Sequence, residues 1–458
     1  MIIVPVFKKA KRESPARTLV LGFLIIIAVG TLLLCLPAAS RAGKFTPIFD
    51  CLFTATSATC VTGLIVYDTW AYWSVFGQIV IALLIQVGGL GFVTIITFFN
   101  VAMGKKLGYR TLKVASEDLS ESSFKNGRKI FIRIVKYSLI FELMGAVIMS
   151  FALFPKYGGY GIWMAAFMSI TAFCNAGFDL AGMEGEFSSL CAFQDNPAVL
   201  VTIAMLIILG GLGFIVWENF LTIRESRKIS LHTKVVLVMT AALVVAGTLF
   251  YLISEWSNPK TLGKMDFGEK LLNAFFSSVT TRTAGFDSIG MSGMSEFSQM
   301  GTILLMFIGA APGSTGGGIK VTTLMVVIAT VVSYIRSKND VELFRHKISK
   351  LVIYRTVVTM ALSFAAVGIC FSALYFSMPK DAGAGGGAVQ CLFDAVSAFS
   401  TAGLTAGATA QAGMLGKCVL MVTMFLGRVG PVSVIMSLVM NTQNRKNIVV
   451  PEGEILIG

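Results

Sequence analysis

Apolar runs long enough to cross a bilayer recur along the whole chain. A hydrocarbon core of about 30 Å needs roughly 20 residues of helix. Stretches of that order fall near 18–38, 74–100, 130–153, 197–222, 234–254, 299–335, 352–377 and 415–440. Between the two members of each successive pair lies a shorter semi-apolar segment, such as 49–58 or 388–398, that leads into a glycine. A segment too short to cross, in a protein that otherwise spans, predicts a half-helix that enters the membrane and returns as extended chain. The pattern predicts an all-α integral membrane fold with eight transmembrane helices. Spanning helix, pore loop and spanning helix repeat over 18–100, 128–222, 234–335 and 352–441, with tails at 1–17 and 442–458.

The repeat is also legible residue by residue. Gly63, Gly177, Gly285 and Gly403 stand 114, 108 and 118 residues apart. Ten positions before each is a phenylalanine (Phe53, Phe167, Phe275, Phe393), eight before is Ala55, Ser169, Ser277 or Ala395, and one after is Leu or Phe. Copies in a shared register predict pseudo-symmetric units around one central pore.

Composition agrees with a bilayer: 55% of residues are hydrophobic, only 13% are charged, and the mean hydropathy is +0.79. The net charge of +13 does not imply nucleic acid, because the basic residues are scattered in loops. Of 37 Lys and Arg, 26 fall in the tails and the stretches 101–136, 223–234 and 336–355, all on one expected face. The positive-inside rule makes that face cytoplasmic and both termini with it. The segment 179–195 leans acidic, and a negative outer vestibule would concentrate cations. Eight cysteines show no CxxC spacing and read as small hydrophobes. The basic stretch Lys8 to Arg17 and the apolar run ending Ala38-Ala39-Ser40 imitate a signal peptide. The run is long enough to span and is taken as the first transmembrane helix.

Non-helical backbone at membrane depth survives only when buried in protein or lining a wet cavity. Four such loops point to one shared pathway. Candidates to line it are Thr59, Cys60, Val61, Thr62 and Gly63; Phe173, Cys174, Asn175, Ala176 and Gly177; Thr281, Arg282, Thr283, Ala284 and Gly285; and Phe399, Ser400, Thr401, Ala402 and Gly403. Small residues and glycine let the chain turn carbonyl oxygens inward, where they replace a cation's hydration shell. The plainer alternative is close packing of helix hairpins. Arg282 is expected to brace the loops from behind, since a cation in the path would repel the substrate.

The run 299–335 would be about 55 Å of unbroken helix, so it must break. The break is at Gly309, Ala310, Ala311, Pro312, Gly313, Ser314, Thr315, Gly316, Gly317 and Gly318. Irregular chain there is expected to line the pathway beneath the third loop and to open or occlude it; a static kink is the alternative. Arg428 lies 13 residues into the last run. It reads as an electrostatic barrier or as a structural arginine bonded to helix-end carbonyls. Glu142 reads as an interhelical hydrogen bond or a coupling-ion site, and Gly88-Gly89-Leu90-Gly91 and Gly210-Gly211-Leu212-Gly213 as sites of close helix approach. His232 and His346 carry no assigned chemistry.

These units resemble those of the superfamily of potassium transporters that includes the Trk, Ktr and HKT proteins, over residues 18 to 441. The resemblance implies K+ as substrate, held at the filter carbonyls, with Gly63 favouring potassium over sodium. It implies that 309–318, followed by Lys320, is an intramembrane gating loop, and that Arg428 lies below the filter. With no room before residue 18 for an extra helical hairpin, the Ktr type is expected. That type implies a homodimer and a separate cytosolic nucleotide-binding regulatory ring. Basic loops would meet the ring or anionic membrane lipid. No organic cofactor, nucleic acid or enzymatic constellation is expected: no HExxH, Walker A or GxGxxG appears in context. A sodium-coupled secondary transporter with broken helices remains the alternative.

Overall fold

The computed structural model describes residues 15–91, 127–226, 229–338, 340–379 and 386–438. Both expected tails, except residues 15–17, and most of the basic stretch 101–136 lie outside the described residues.

Four helices open the successive units: α1 (Pro15–Leu34), α4 (Gly127–Tyr157), α8 (Leu231–Glu255) and α12 (Lys350–Ser377). Each contains a stretch long and apolar enough to cross a membrane. The side chains of Ser230 and Ser349 cap α8 and α12 by accepting from Thr233 and Val352 N–H. Large apolar residues face outward, with Ile253 81% and Phe376 85% exposed. On a soluble protein that would be a liability; against lipid it has no cost. The chain is a mostly helical membrane protein.

A shorter helix follows in each unit: α2 (Ile48–Thr59), α5 (Gly159–Phe173), α9 (Phe267–Thr280) and α13 (Ala388–Ser400). At 12 to 15 residues they are too short to cross. Of the phenylalanines that share the register, Phe53, Phe167 and Phe393 are fully buried and Phe275 partly so. They anchor the short helices in the core.

Second helices then lead away: α3 (Val75–Leu90), α6 (Pro197–Leu212), α10 (Glu296–Phe307) and α14 (Met414–Val429). Here the structure corrects the expectation of continuous runs. The run 197–222 turns by 88° at Gly213 into α7 (Phe214–Ser226), and the run 415–440 turns by 96° at Gly430 into α15 (Pro431–Leu438). Helix α3 ends at Leu90 with Gly91 as its cap, and the remainder of the run expected to residue 100 lies outside the described residues. All three glycines have φ between 84° and 89° with extended ψ, a conformation that breaks helical bonding and that L side chains rarely adopt. The third unit breaks after Phe307 and resumes as α11 (Val321–Ile335), leaving 308–320 irregular. A two-residue antiparallel pairing, Glu342–Leu343 with His346–Lys347, follows α11.

Candidate functional site

The four short helices all end at the glycine loops, so their C-termini, and the partial negative charge there, point at one place. Each loop then alternates the sign of φ. Val61, Asn175, Thr283 and Thr401 are left-handed (φ 57°, 59°, 68° and 53°), and the glycines two residues later are again positive (94°, 70°, 80° and 79°). The residue between them ties its N–H back to the helix: Thr62 to Ser57 O (2.8 Å), Ala176 to Thr171 O (2.7 Å), Ala284 to Thr280 O (3.0 Å) and Ala402 to Ser397 O (2.8 Å).

The carbonyls of Thr62, Ala176, Ala284 and Ala402 form a closed ring. A Cβ placed on Gly63 would lie 2.5 Å from Ala176 O, one on Gly177 2.7 Å from Ala284 O, and one on Gly285 2.7 Å from Ala402 O; one on Gly403 would strike Thr62 O. Each glycine therefore abuts the carbonyl of the next unit, and the fourth returns to the first. What this arrangement offers in a ring is peptide oxygen. Among the described residues, no group of three or more His, Cys, Asp or Glu side chains assembles into a metal site. A ring of carbonyls can take a dehydrated monovalent cation.

The expected lining narrows at one end. Thr59 and Phe173 are the last helical residues of α2 and α5, and Phe399 the last but one of α13. Their carbonyls are directed at Gly88, Gly210 and Gly427 of the second helices, where a Cβ would collide with them. Cys60 and Cys174 are fully buried as well. Gly88 and Gly210 thus admit the end of a short helix rather than another long one, and Gly89 lies against Cys174. The contact at Gly427 goes beyond the expected ones, although its signal is in the chain: Gly427-Arg428-Val429-Gly430 repeats the Gly-x-x-Gly spacing of the two Gly-Gly-Leu-Gly runs. Arg428 stands where the first two units have a second glycine.

Beneath the ring lies the loop 308–320. Its ends are joined, Gly309 N–H donating to Ile319 O at 2.8 Å and Val321 N–H to Ala310 O at 3.2 Å. It is docked on α6 through Ala311 N–H to Gly211 O (3.1 Å) and on the start of α7 through Phe214 N–H to Gly313 O (2.8 Å). Three consecutive residues then meet three consecutive glycine loops. Thr315 Oγ1 is 3.2 Å from Asn175 Oδ1, a Cβ on Gly316 would strike Thr283 Oγ1, and Gly317 N–H donates to Thr401 Oγ1 at 3.1 Å. Ser314 Oγ donates to Ala311 O at 2.6 Å, bracing the turn after Pro312 and Gly313. Gly318 N–H donates to Gly427 O at 3.3 Å.

Two cations hold the same loop. Lys320 Nζ donates to Gly316 O at 2.8 Å. Arg428 Nη1 donates to Thr315 O, while Nη2 donates to Gly88 O and, at 3.0 Å, to Gly89 O. One guanidinium thus bonds helix-end carbonyls of the first unit and the loop of the third. Arg282 is only 8% exposed; Asn175 Nδ2 donates to its carbonyl at 3.2 Å. Next to it, Thr281 Oγ1 donates to Ser278 O at 2.8 Å, closing the end of α9. Glu142 on α4 accepts from Gln86 Nε2 on α3 at 2.9 and 3.2 Å, an interhelical bond.

On the other side of the ring, buried carboxylates shape the chain. Asp287 accepts from Ile289, Gly290 and Met291 N–H at 3.0, 2.9 and 2.7 Å. Asp394 accepts from Ala406 and Thr409 N–H and from two threonine hydroxyls at 2.6 to 2.9 Å. Burial pushes the Asp179 carboxyl up to about 6.

The family described as Cation transport protein (TrkH) matches residues 17–448. Potassium/sodium uptake protein NtpJ of Enterococcus hirae is 40% identical, the match covering 98% of each chain. Ktr system potassium uptake protein B of Bacillus subtilis is 37% identical over 98% of this chain and 97% of that one. The crystal structure of the potassium transporter TrkH from Vibrio parahaemolyticus has the same fold, with a TM-score of 0.71 at 16% identity over 95% of this chain and 87% of the other.

Proposed function

This chain belongs to the TrkH family of cation transport proteins, a transporter family rather than an enzyme family, and on that premise we propose that it takes up potassium through the ring of loop carbonyls. The observation that carries the reading is the closed succession of glycine and carbonyl from unit to unit. Eight transmembrane helices, with the bent pairs and the α10–α11 pair counted as one span each, surround this filter. The four short helices aim their C-terminal partial charges at the ion, and the carbonyls replace its water. Gly63, Gly177, Gly285 and Gly403 complete the set that favours potassium.

The loop 309–318 with Lys320 is the gate, in an arrangement that obstructs the path beneath the filter. Thr315, Gly316 and Gly317 lie under three of the four loops, and Arg428 fastens Thr315 to the first unit. The chain is then the membrane subunit of a Ktr-type system in a bacterial plasma membrane, with cytoplasmic termini, acting as a homodimer on a cytosolic nucleotide-binding ring. The relative named as a potassium/sodium uptake protein favours a second reading, in which sodium also passes or couples.

The test is potassium-limited growth and rubidium uptake in a bacterial host lacking its own uptake systems, with and without a cytosolic partner, for this chain and Gly285→Asp. Uptake that the substitution abolishes at unchanged protein level supports the filter. Uptake indifferent to the substitution overturns it. Repeating the assay with and without sodium separates the second reading.

A further inference from the structure

We propose that Arg282 holds a small monovalent anion of the halide class in a cavity behind the third glycine loop. Its side chain is only 8% exposed, and its Nε and Nη2 are buried with no hydrogen-bond partner among the described residues. Arg282 lines a cavity of about 20 Å³ together with Ile207, Gly211, Thr240, Val279 and Ala310. That is room for one water molecule or a monatomic ion.

A guanidinium cannot escape the cost of burial by losing its proton, as a lysine can. It needs either peptide oxygens or a counter-charge. Arg428 shows the first solution, with its donors spread over Thr315, Gly88 and Gly89 carbonyls. Arg282 shows neither: two of its donors are buried and unpaired among the described residues, beside a small void. One water would satisfy a donor and leave the charge; one anion would meet both donors and cancel it. The void offers water-sized space beside the guanidinium, which suits a monatomic ion better than a polyatomic one. Its walls are mainly apolar, which favours a weakly hydrated ion, and Thr240 is the other polar side chain among them.

The position gives the anion a consequence. Ala310 belongs to the loop beneath the ring, and Arg282 is three residues from Gly285. An uncompensated positive charge there raises the energy of a cation in the path, and a bound halide lowers it again. This consequence rests on the proposed transport function; the binding site does not.

The full-length wild-type chain would be purified and crystallised from potassium bromide, and its thermal stability compared in potassium chloride, bromide and gluconate at equal ionic strength. Expected are anomalous bromide density beside Arg282 and a saturable, halide-specific rise in melting temperature. Thr240→Met, which fills the void from α8 without touching the loops, is expected to abolish both. In liposomes, rubidium uptake is expected to be on the order of tenfold faster with chloride than with gluconate. Equal melting in all three salts, without bromide density, would overturn the site and leave water as its occupant. Bromide bound at Arg282 in a protein that takes up no rubidium in any salt would retain the site and sink the transport reading instead.

Discussion

The backbone N–H of Gly317 donates to the hydroxyl of Thr401 across 84 residues of sequence, at 3.1 Å. Thr401 is the left-handed residue of the fourth glycine loop, two positions before Gly403. The bond therefore couples the geometry of a candidate filter directly to the loop that lies under it. Its counterparts at Thr315 and Gly316 reach Asn175 and Thr283. Any displacement of 315–317 must break contacts with three units together, and on the proposed gating reading that favours two discrete positions over continuous deformation.

Thr401→Val removes the acceptor while keeping the shape. The loss of one buried bond is worth about 1 kcal/mol, or roughly a fivefold shift of the loop's equilibrium. Faster rubidium uptake at unchanged expression is expected. Slower uptake would mean that the hydroxyl serves the open arrangement.

Arg428→Gln takes away the charge and the fork that joins Thr315 to Gly88 and Gly89. Resting rubidium uptake should rise on the order of tenfold, with a lower melting temperature. A stable variant with no gain in uptake would reduce Arg428 to a structural role.

Glu142→Gln keeps an oxygen acceptor for Gln86 Nε2 and removes only the ionisable carboxyl. Uptake should match the wild type with and without sodium. Loss of a sodium dependence in the variant would convert Glu142 from a helix–helix contact into a coupling site.

Asp394→Asn leaves the fourth outer turn short of acceptors for Ala406, Thr405 and Thr409. A destabilisation of about 2 kcal/mol is expected, read as a lower melting temperature in detergent. An unchanged melting temperature would show that the turn does not depend on the carboxylate.

Asp179 supplies a pH signature. Its carboxyl, raised by burial to about 6, holds a proton in the folded chain at pH values where an unfolded carboxyl near 4 has lost it. Its contribution to stability is complete below about pH 4 and is lost as pH rises through about 6. Melting temperature should therefore fall between about pH 5 and pH 7, and Asp179→Asn should shrink that fall. An identical slope in the variant would assign the dependence to other groups.

Much of the architecture is local and readable in the chain. Apolar length specifies which helices can cross, the short segments before each glycine mark the half-helices, and Gly and Pro in 309–318 forbid regular helix. Each follows from a few neighbouring residues and the thickness of a bilayer. The bends at Gly213 and Gly430 are not readable in that way, because a glycine within an apolar run is equally compatible with a straight helix. At Gly213 the bent chain bonds a segment a hundred residues away, Phe214 N–H donating to Gly313 O. Likewise, sequence identifies four glycines in register but not that each abuts the next unit's carbonyl and closes a ring. The partners of Arg428, the surroundings of Arg282 and the seating of Thr315, Gly316 and Gly317 under three loops also depend on residues far away in the chain, up to 340 positions for Arg428 and Gly88. Such contacts carry no local signature, since what specifies them is the packing of whole helices against one another.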